Sequence, residues 1–342
     1  MSDKTVLSIA ALTALTDEIF RNAGVSAAQS AAVARVIVAG ERDACKSHGV
    51  YRIEGCLRTL KAGKIAPMAV PELLDDGSGV IRVDAKGAFS PAAFALGAPV
   101  LAARAKKLGV AALVINSCLQ FSALWPEIEE LTDLGCAALA LCPSYSSVAP
   151  TGGAEALLGT NPIAFGWPRK GNPPYVFDFA TSVAARGEIE LHRRAGTPLP
   201  EGWAIDAAGH PTTDPEAALA GAMLPFGGHK GSAISTMIEL LAGVMIGDLT
   251  SPEALAYLGS MTLLPHHGEL VLAFAPERFA AGRGDPFARA EVLFEAITGQ
   301  GARLPSQRRF AARKRAEAEG ITLTAAEMAM LERLRTTGLE SV

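Results

Sequence analysis

Apolar residues recur at helical spacing through residues 1–65. Val33, Val36, Ile37 and Gly40 share one face of a predicted helix, and Val50, Ile53, Leu57 and Leu60 share a face of the next. Ser47 is placed to cap that second helix and Gly63 to end it. An alanine-rich helix is predicted from Pro91 to Lys107, with proline in its first turn and a stop near Gly109. The period then changes. Val110–Ile115, Cys136–Cys142, Tyr175–Phe179 and Leu270–Phe274 are short apolar runs that read as buried strands. The longest apolar stretch, Ile234–Ile246, contains Glu239 and reads as a buried helix, not a membrane span. Helical spacing returns between Thr324 and Leu339, through Met328, Leu331 and Leu334. Helical ends around a strand-bearing middle predict an α/β protein whose two ends pack together.

Gly and Pro crowd the segments between these elements. APTGG, LGTNP and PRKGNPP follow Ser144, and further clusters lie at Thr197–Trp203, Gly209–Pro215 and Pro225–Gly231. Such segments are commonly site-forming loops on a rigid scaffold. Composition narrows the class. The 342 residues are 49% hydrophobic and 19% charged, which suits a sizeable core and excludes global disorder. A net charge of −4 without a basic stripe argues against a nucleic-acid partner. Asp17 and Glu18, with no small-residue cleavage site, make the N-terminus an amphipathic helix and not a signal peptide. Five cysteines without C-x-x-C spacing predict reduced thiols in a cytoplasmic protein.

Neither a G-x-G-x-x-G after a predicted strand nor a P-loop occurs, so an ordinary Rossmann fingerprint is not supported. The segment Pro225-Phe-Gly-Gly-His-Lys-Gly231 is the best anion-binding candidate. Its glycines expose backbone N–H groups, Lys230 adds charge, and an apolar helix follows. A plain glycine-rich helix start explains it equally well.

His48 and Arg52 lie four apart and would share a helix face. The guanidinium can hold a carboxylate in a fork, while the imidazole gives a proton to the heteroatom that gains charge. The competing reading is a solvated helix start with Arg52 paired to Glu54 or Asp43. In Leu158-Gly159-Thr160-Asn161-Pro162, Thr160 and Asn161 can offer a hydroxyl and an amide to a ligand, or form only a turn. Asp178-Phe179-Ala180-Thr181-Ser182 closes a strand with polar groups, and Thr181 or Ser182 can instead cap the next helix. His266-His267 lacks a third ligand at metal spacing, so no metal is expected.

The order of these blocks carries more than any one of them. SHGVYRIEGCLRTLKAGKIAP, APTGGAEALLGTNPIAFGWP, FDFATSVAARGEI, GTPLPEGWAIDAAGHPTTDP and LPFGGHKGSAISTMIELLAGVMIGDL together resemble the type-2 malate/L-lactate dehydrogenase family, from Ser47 to Arg308-Arg309. The resemblance implies a non-classical NAD(P)-binding domain with a mixed, largely antiparallel sheet over 111–304. It also implies a mostly helical domain from 1–110 and 305–342, and a homodimer. It implies a catalytic Ser47-His48 pair, substrate binding by Arg52 and Thr160, and a Glu188 that orients His48. It further implies cofactor contacts from Gln120, Phe121, Ser122, Ala123, Leu124, Asp178, Phe179, Ala180, His229, Lys230, Gly231, Arg308 and Arg309.

Many members carry His where this chain has Gln120, which hydrogen-bonds but does not titrate near neutrality. Glu188 stands where imine-reducing members carry Asp. Phe121-Ser-Ala-Leu-Trp-Pro-Glu127 and Phe165-Gly-Trp-Pro168 look like the reductases of Δ1-piperideine-2-carboxylate and Δ1-pyrroline-2-carboxylate. The expected function is therefore NADPH-dependent reduction of cyclic 2-imino acids, with NADH as a possible donor. The alternatives are a malate, lactate or ureidoglycolate dehydrogenase and a catalytically weak binding homologue.

Overall fold

A computed structural model describes residues 4–119 and 123–342. They form two compact units. The first comprises Met1–Leu139, Ala164–Phe177 and Val271–Val342, and the second Ala140–Ile163 and Asp178–Leu270.

In the first unit the two ends of the chain do pack together. The strand Lys4–Leu7 pairs antiparallel with Ile321–Thr324, and Ala325–Thr337 packs on Ile9–Asn22. Sequence spacing missed both four-residue strands, which sit inside long helical stretches. The helices are fixed by their first turns. Ser8 Oγ accepts from Ala11 N at 3.1 Å, and Thr324 forms a box with Glu327, whose carboxylate accepts from Thr324 N at 2.7 Å. The helix expected over Pro91–Lys107 runs Ser90–Leu108, and Gly109 follows it.

A seven-stranded sheet supports this unit. Its order is Glu72–Leu74, Val80–Asp84, Val110–Leu119, His266–Phe274, Ala137–Leu141, Ile163–Trp167, Tyr175–Phe179. The first pair is antiparallel and the second parallel, so the sheet is mixed. The expected strand at Val110–Ile115 is longer, and the one at Leu270–Phe274 begins at His266.

The units do not divide at 110/111 and 304/305, where the expected domains met. Val110–Leu119 lies in register with Val80–Asp84, Val80 opposite Ala112, and Ser90–Leu108 packs on both strands. Residues 80–119 are thus one hydrogen-bonded block. Downstream, Arg169 ties the 164–177 segment to the helix Pro286–Thr298 through Glu291, at 2.6 Å.

The second unit has its own core of Val148, Leu158, Ile189, Leu199, Ala204 and Met223. It carries a small sheet in the order Ala222–Met223, Ala204–Ile205, Pro211–Thr212. The apolar stretch after Ile234 is not a wholly buried helix. The α-helix His229–Glu239 widens into a π turn over Leu240–Val244. Ile238, Ala242 and Ile246 are buried, whereas Leu240, Val244 and Met245 are more than half exposed. Among the described residues no helix is long and apolar enough to cross a membrane, and no group of three metal-ligating side chains occurs. None of the five cysteines is in a disulfide.

Candidate active site

In the first unit the helix Ala27–Arg42 ends, the chain turns once through the 3₁₀ segment Lys46–His48, and Arg52–Lys61 begins. Ser47 does not cap this helix. It lies within the 3₁₀ turn, and Tyr51 opens the helix without a side-chain cap. Ser47 Oγ instead sits 3.1 Å from His48 Nδ1. Arg52 Nε donates to the Ser47 carbonyl at 2.9 Å. Ser47, His48 and Arg52 therefore form one cluster, built around a turn and not along one helix face. Desolvation, and then the Arg52 charge, pull the His48 imidazole down to about 3, so it is neutral near pH 7.

Arg52 has no carboxylate partner among the described residues. Glu54 pairs with Arg333 at 2.5 Å, and Asp43 with Arg42 at 2.7 Å and with Arg313. Both acids that would have made Arg52 an ordinary surface ion pair are thus engaged elsewhere.

The turn is held from below by Glu41, which sequence reasoning missed. Its buried carboxylate accepts from Val50 N at 2.9 Å and pairs with Lys46. A Cβ on Gly40 would strike the His48 carbonyl, and one on Gly49 would strike the Glu41 carboxylate. Two glycines thus allow the His48 turn to lie directly on the preceding helix. Their spacing around Glu41 was visible in the sequence, but only the fold gives it meaning.

Behind His48 stands Trp125, ring centroids 6.0 Å apart and planes at 79°. Trp125 Nε1 donates to Asp43 Oδ2 at 3.0 Å, and the Arg309 guanidinium lies 4.7 Å over the indole. Arg313 bridges Asp43 and Glu129, with Nε 3.0 Å from Asp43 Oδ1 and Nη2 2.7 Å from Glu129 Oε2. Burial alone would raise Asp43; Arg313 and Arg42 outweigh it and hold the carboxyl low. Arg309 is thus built into a platform, whereas Arg308 is exposed. Gln120, Phe121 and Ser122 lie outside the described residues. Ala123 and Leu124 are buried.

The second unit holds the other candidates. Thr181 N and Oγ1 both donate to the Thr160 carbonyl, at 2.8 and 3.1 Å. Phe226 N donates to the Thr181 carbonyl at 3.0 Å, and the Phe226 ring meets Phe179 edge-on at 5.7 Å. The turn at Thr160, the strand end Asp178–Ala180 and the loop before His229-Lys230-Gly231 are thereby brought together. Neither Thr181 nor Ser182 caps the following helix, which opens at Ala185; Ser182 Oγ donates to the Ala184 carbonyl at 2.6 Å. Glu188 is exposed, and its Oε2 accepts from Ala185 N at 3.1 Å.

Asn161 is not available to a ligand. It is fully buried, and its Nδ2 donates to Glu239 Oε1 at 2.7 Å and to Ser235 Oγ at 2.9 Å. Thr160 Oγ1 has no hydrogen-bond partner among the described residues, and the residue is half-buried.

The loop at 225–231 suits an anionic nucleotide. Gly227 and Gly228 take φ of +56° and +60°, and no atom lies within 4 Å of where their side chains would stand. His229 opens an eleven-residue helix, and Lys230 is exposed without an ion pair among the described residues. Open backbone at a positive helix end, with an uncommitted ammonium, fits the phosphates of a nicotinamide cofactor.

Residues 7–332 match the family model described as malate/L-lactate dehydrogenase. The chain belongs to this family. Its members include a Δ1-pyrroline-2-carboxylate reductase of Agrobacterium fabrum, 71% identical over the whole of both chains. A Δ1-pyrroline-2-carboxylate/Δ1-piperideine-2-carboxylate reductase of Pseudomonas aeruginosa is 56% identical over 90% of this chain and 93% of its own. Among solved structures of the family, Δ1-piperideine-2-carboxylate reductase from Pseudomonas syringae pvar. tomato superposes with a TM-score of 0.92 at 39% identity. That match covers 96% of this chain and 99% of the other. The family match makes this chain an oxidoreductase that uses a nicotinamide cofactor.

Proposed function

We propose that the protein reduces cyclic 2-imino acids with NADPH, converting Δ1-pyrroline-2-carboxylate to L-proline and Δ1-piperideine-2-carboxylate to L-pipecolate. The observation that carries this reading is a guanidinium, Arg52, without a carboxylate partner among the described residues, beside an imidazole held neutral, His48.

Arg52 takes the substrate carboxylate with its two Nη groups, since Nε is already held by Ser47. When bound, the reduced nicotinamide supplies a hydride. A cyclic imine protonated at nitrogen is an iminium, and hydride addition at C2 turns it into a neutral secondary amine. No proton need be delivered in that step. A neutral imidazole accepts the iminium N–H and keeps the cation in place. A carbonyl gains negative charge on hydride addition and needs a proton donor, which an imidazole titrating near 3 supplies poorly. This is the physical reason to favour imine over oxo acid.

Ser47 steers the imidazole through Nδ1. Glu188 is assigned to the catalytic set on the family resemblance; among the described residues only its Oε2 is committed, to its own helix. Thr160 meets the substrate with its hydroxyl, and Lys230 with the loop glycines holds nucleotide phosphate. We assign a homodimer, for which the exposed Leu240, Val244 and Met245 provide apolar surface.

The test is oxidation of NADPH and of NADH with the two cyclic imines, pyruvate and oxaloacetate, beside reduction of NADP+ and NAD+ with ureidoglycolate. The imines with NADPH should give the highest kcat/KM. A higher value with any oxo acid, or with ureidoglycolate in the reverse direction, overturns the reading.

A further inference from the structure

The helix His229–Glu239 has a second charged end. Glu239, its last α-helical residue, is a buried carboxylate with no cation paired to it among the described residues. Such a group is costly to bury unless several donors solvate it. Here backbone and amide dipoles do so. Oε2 accepts from Ser251 N at 2.9 Å, at the start of the helix Ser251–Leu258, and Oε1 accepts from Asn161 Nδ2 at 2.7 Å. Gly159 N approaches the same Oε1 at 3.5 Å.

Asn161 is held on its remaining sides as well. Its amide also donates to Ser235, one turn earlier on the same helix, and its Oδ1 accepts from Ser251 Oγ at 3.3 Å. Its φ of +33° is unusual for a residue other than glycine and is kept by these bonds. A Cβ on Gly159 would lie 2.6 Å from Ser251 Oγ, so the chain can pass here only as glycine. The residues on both sides of Thr160 are thus bonded to Glu239, while the Thr160 carbonyl is bonded to Thr181. The Thr160 hydroxyl has no hydrogen-bond partner among the described residues.

We infer that Glu239 is a positioning residue for substrate recognition: it fixes the 159–161 turn so that Thr160 presents its hydroxyl, and it ties that turn to the helix whose other end carries Lys230. The inference rests on the assignment of Thr160 to the substrate. An amide at 239 cannot accept on both sides. Glu239→Gln sets its NH₂ against either Ser251 N or Asn161 Nδ2, and the turn loosens.

A double-mutant cycle tests this with kcat, KM for the imino acid and NADPH affinity measured for Thr160→Ala, Glu239→Gln and the pair. Thr160→Ala should raise KM about 10- to 150-fold, the range of one hydrogen bond to an ionised ligand. Glu239→Gln alone should raise KM by a similar factor and leave kcat within about threefold, and in the Thr160→Ala background it should add less than about twofold. Multiplying effects would mean that Glu239 acts elsewhere, and the positioning role would fall. An unchanged KM for Thr160→Ala would remove Thr160 from the substrate site, and the inference with it. Should Glu239→Gln not fold, Asn161→Gly takes its place in the cycle: glycine tolerates the positive φ, the side-chain bonds to Glu239, Ser235 and Ser251 are lost, and Glu239 keeps its bond to Ser251 N.

Discussion

Arg52 gives its Nε–H to the carbonyl of Ser47, 2.9 Å away, and so is oriented by the same residue that touches the His48 ring. A guanidinium held by Nε keeps its two Nη groups as a fork. Lysine at 52 keeps the charge and loses both the anchor and the fork. Arg52→Lys should raise KM for the imino acid by a factor that corresponds to about 2–3 kcal/mol and leave NADPH affinity unchanged. Steady-state kinetics with a cofactor titration decide this, and an unaltered KM would take Arg52 out of the site.

His48→Asn displaces the acceptor for the iminium N–H and should lower kcat/KM by roughly 10- to 100-fold, the scale of one hydrogen bond to a charged group. The pH profile separates two roles. With a free-protein imidazole titrating near 3, kcat/KM between pH 5 and 9 should follow the protonation of the imine itself. The same inflection should survive in His48→Asn. An inflection that vanishes with the imidazole would make His48 the proton donor.

Acid stability gives a separate reading of the same ring. Its pKa is about 3 in the folded protein against an ordinary 6.5, so from pH 6.5 down to 3 the unfolded chain binds a proton that the folded one does not. The neutral-ring contribution is therefore present above pH 6.5 and is lost as pH falls. Between pH 7 and 5 the wild type should lose about 1 kcal/mol more than His48→Asn, after discounting for a ring that is only half-buried. Urea unfolding at the two pH values measures it.

Gly49→Ala places a methyl against the Glu41 carboxylate, which holds Val50 N. The turn that carries His48 must shift. A displacement on the order of 1 Å costs about 10²-fold in rate. We expect kcat to fall by roughly 10- to 100-fold while NADPH affinity stays at the wild-type value. Full activity would show that the turn has room to adjust.

Lys230→Ala should weaken NADPH by about 1.5–3 kcal/mol, as for a hydrogen bond to a charged group. If Lys230 meets the pyrophosphate, NADH should weaken equally; a loss confined to NADPH would place it on the 2′-phosphate. Raised ionic strength should weaken the wild type more than the variant. Calorimetric titration with both cofactors provides the comparison, and equal affinities before and after substitution would reduce the loop to a helix start.

Much of this was legible in the chain. The strand Tyr175–Phe179 and the helix after Ser90 stood out because their period or end signals were strong. The order of motifs identified the family, and it named Ser47, His48 and Arg52, which the structure gathers into one cluster. What stayed hidden depended on distant partners. Asp43 looked like a neighbour for Arg52, yet it is bonded to Trp125 and Arg313, far along the chain. Asn161 looked like a ligand group, and only the fold shows its amide turned inward to Glu239. Glu239 itself read as an interruption in an apolar run. The short strands Lys4–Leu7 and Ile321–Thr324 exist because they find each other, a condition no local pattern records.

That terminal pairing has a bearing on synthesis. Arg313, which braces Asp43 beneath Trp125, and Glu327, whose carboxylate lies 3.5 Å from Lys46 in the His48 turn, follow the turn by more than 260 residues. The turn that carries His48 and Arg52 is therefore unbraced until residues 313–327 have left the ribosome. The segment 140–270, by contrast, emerges with its own core already present. A nascent chain thus acquires its 225–231 loop before it acquires a braced imidazole, and a product that stops short of Arg313 keeps the loop without the brace.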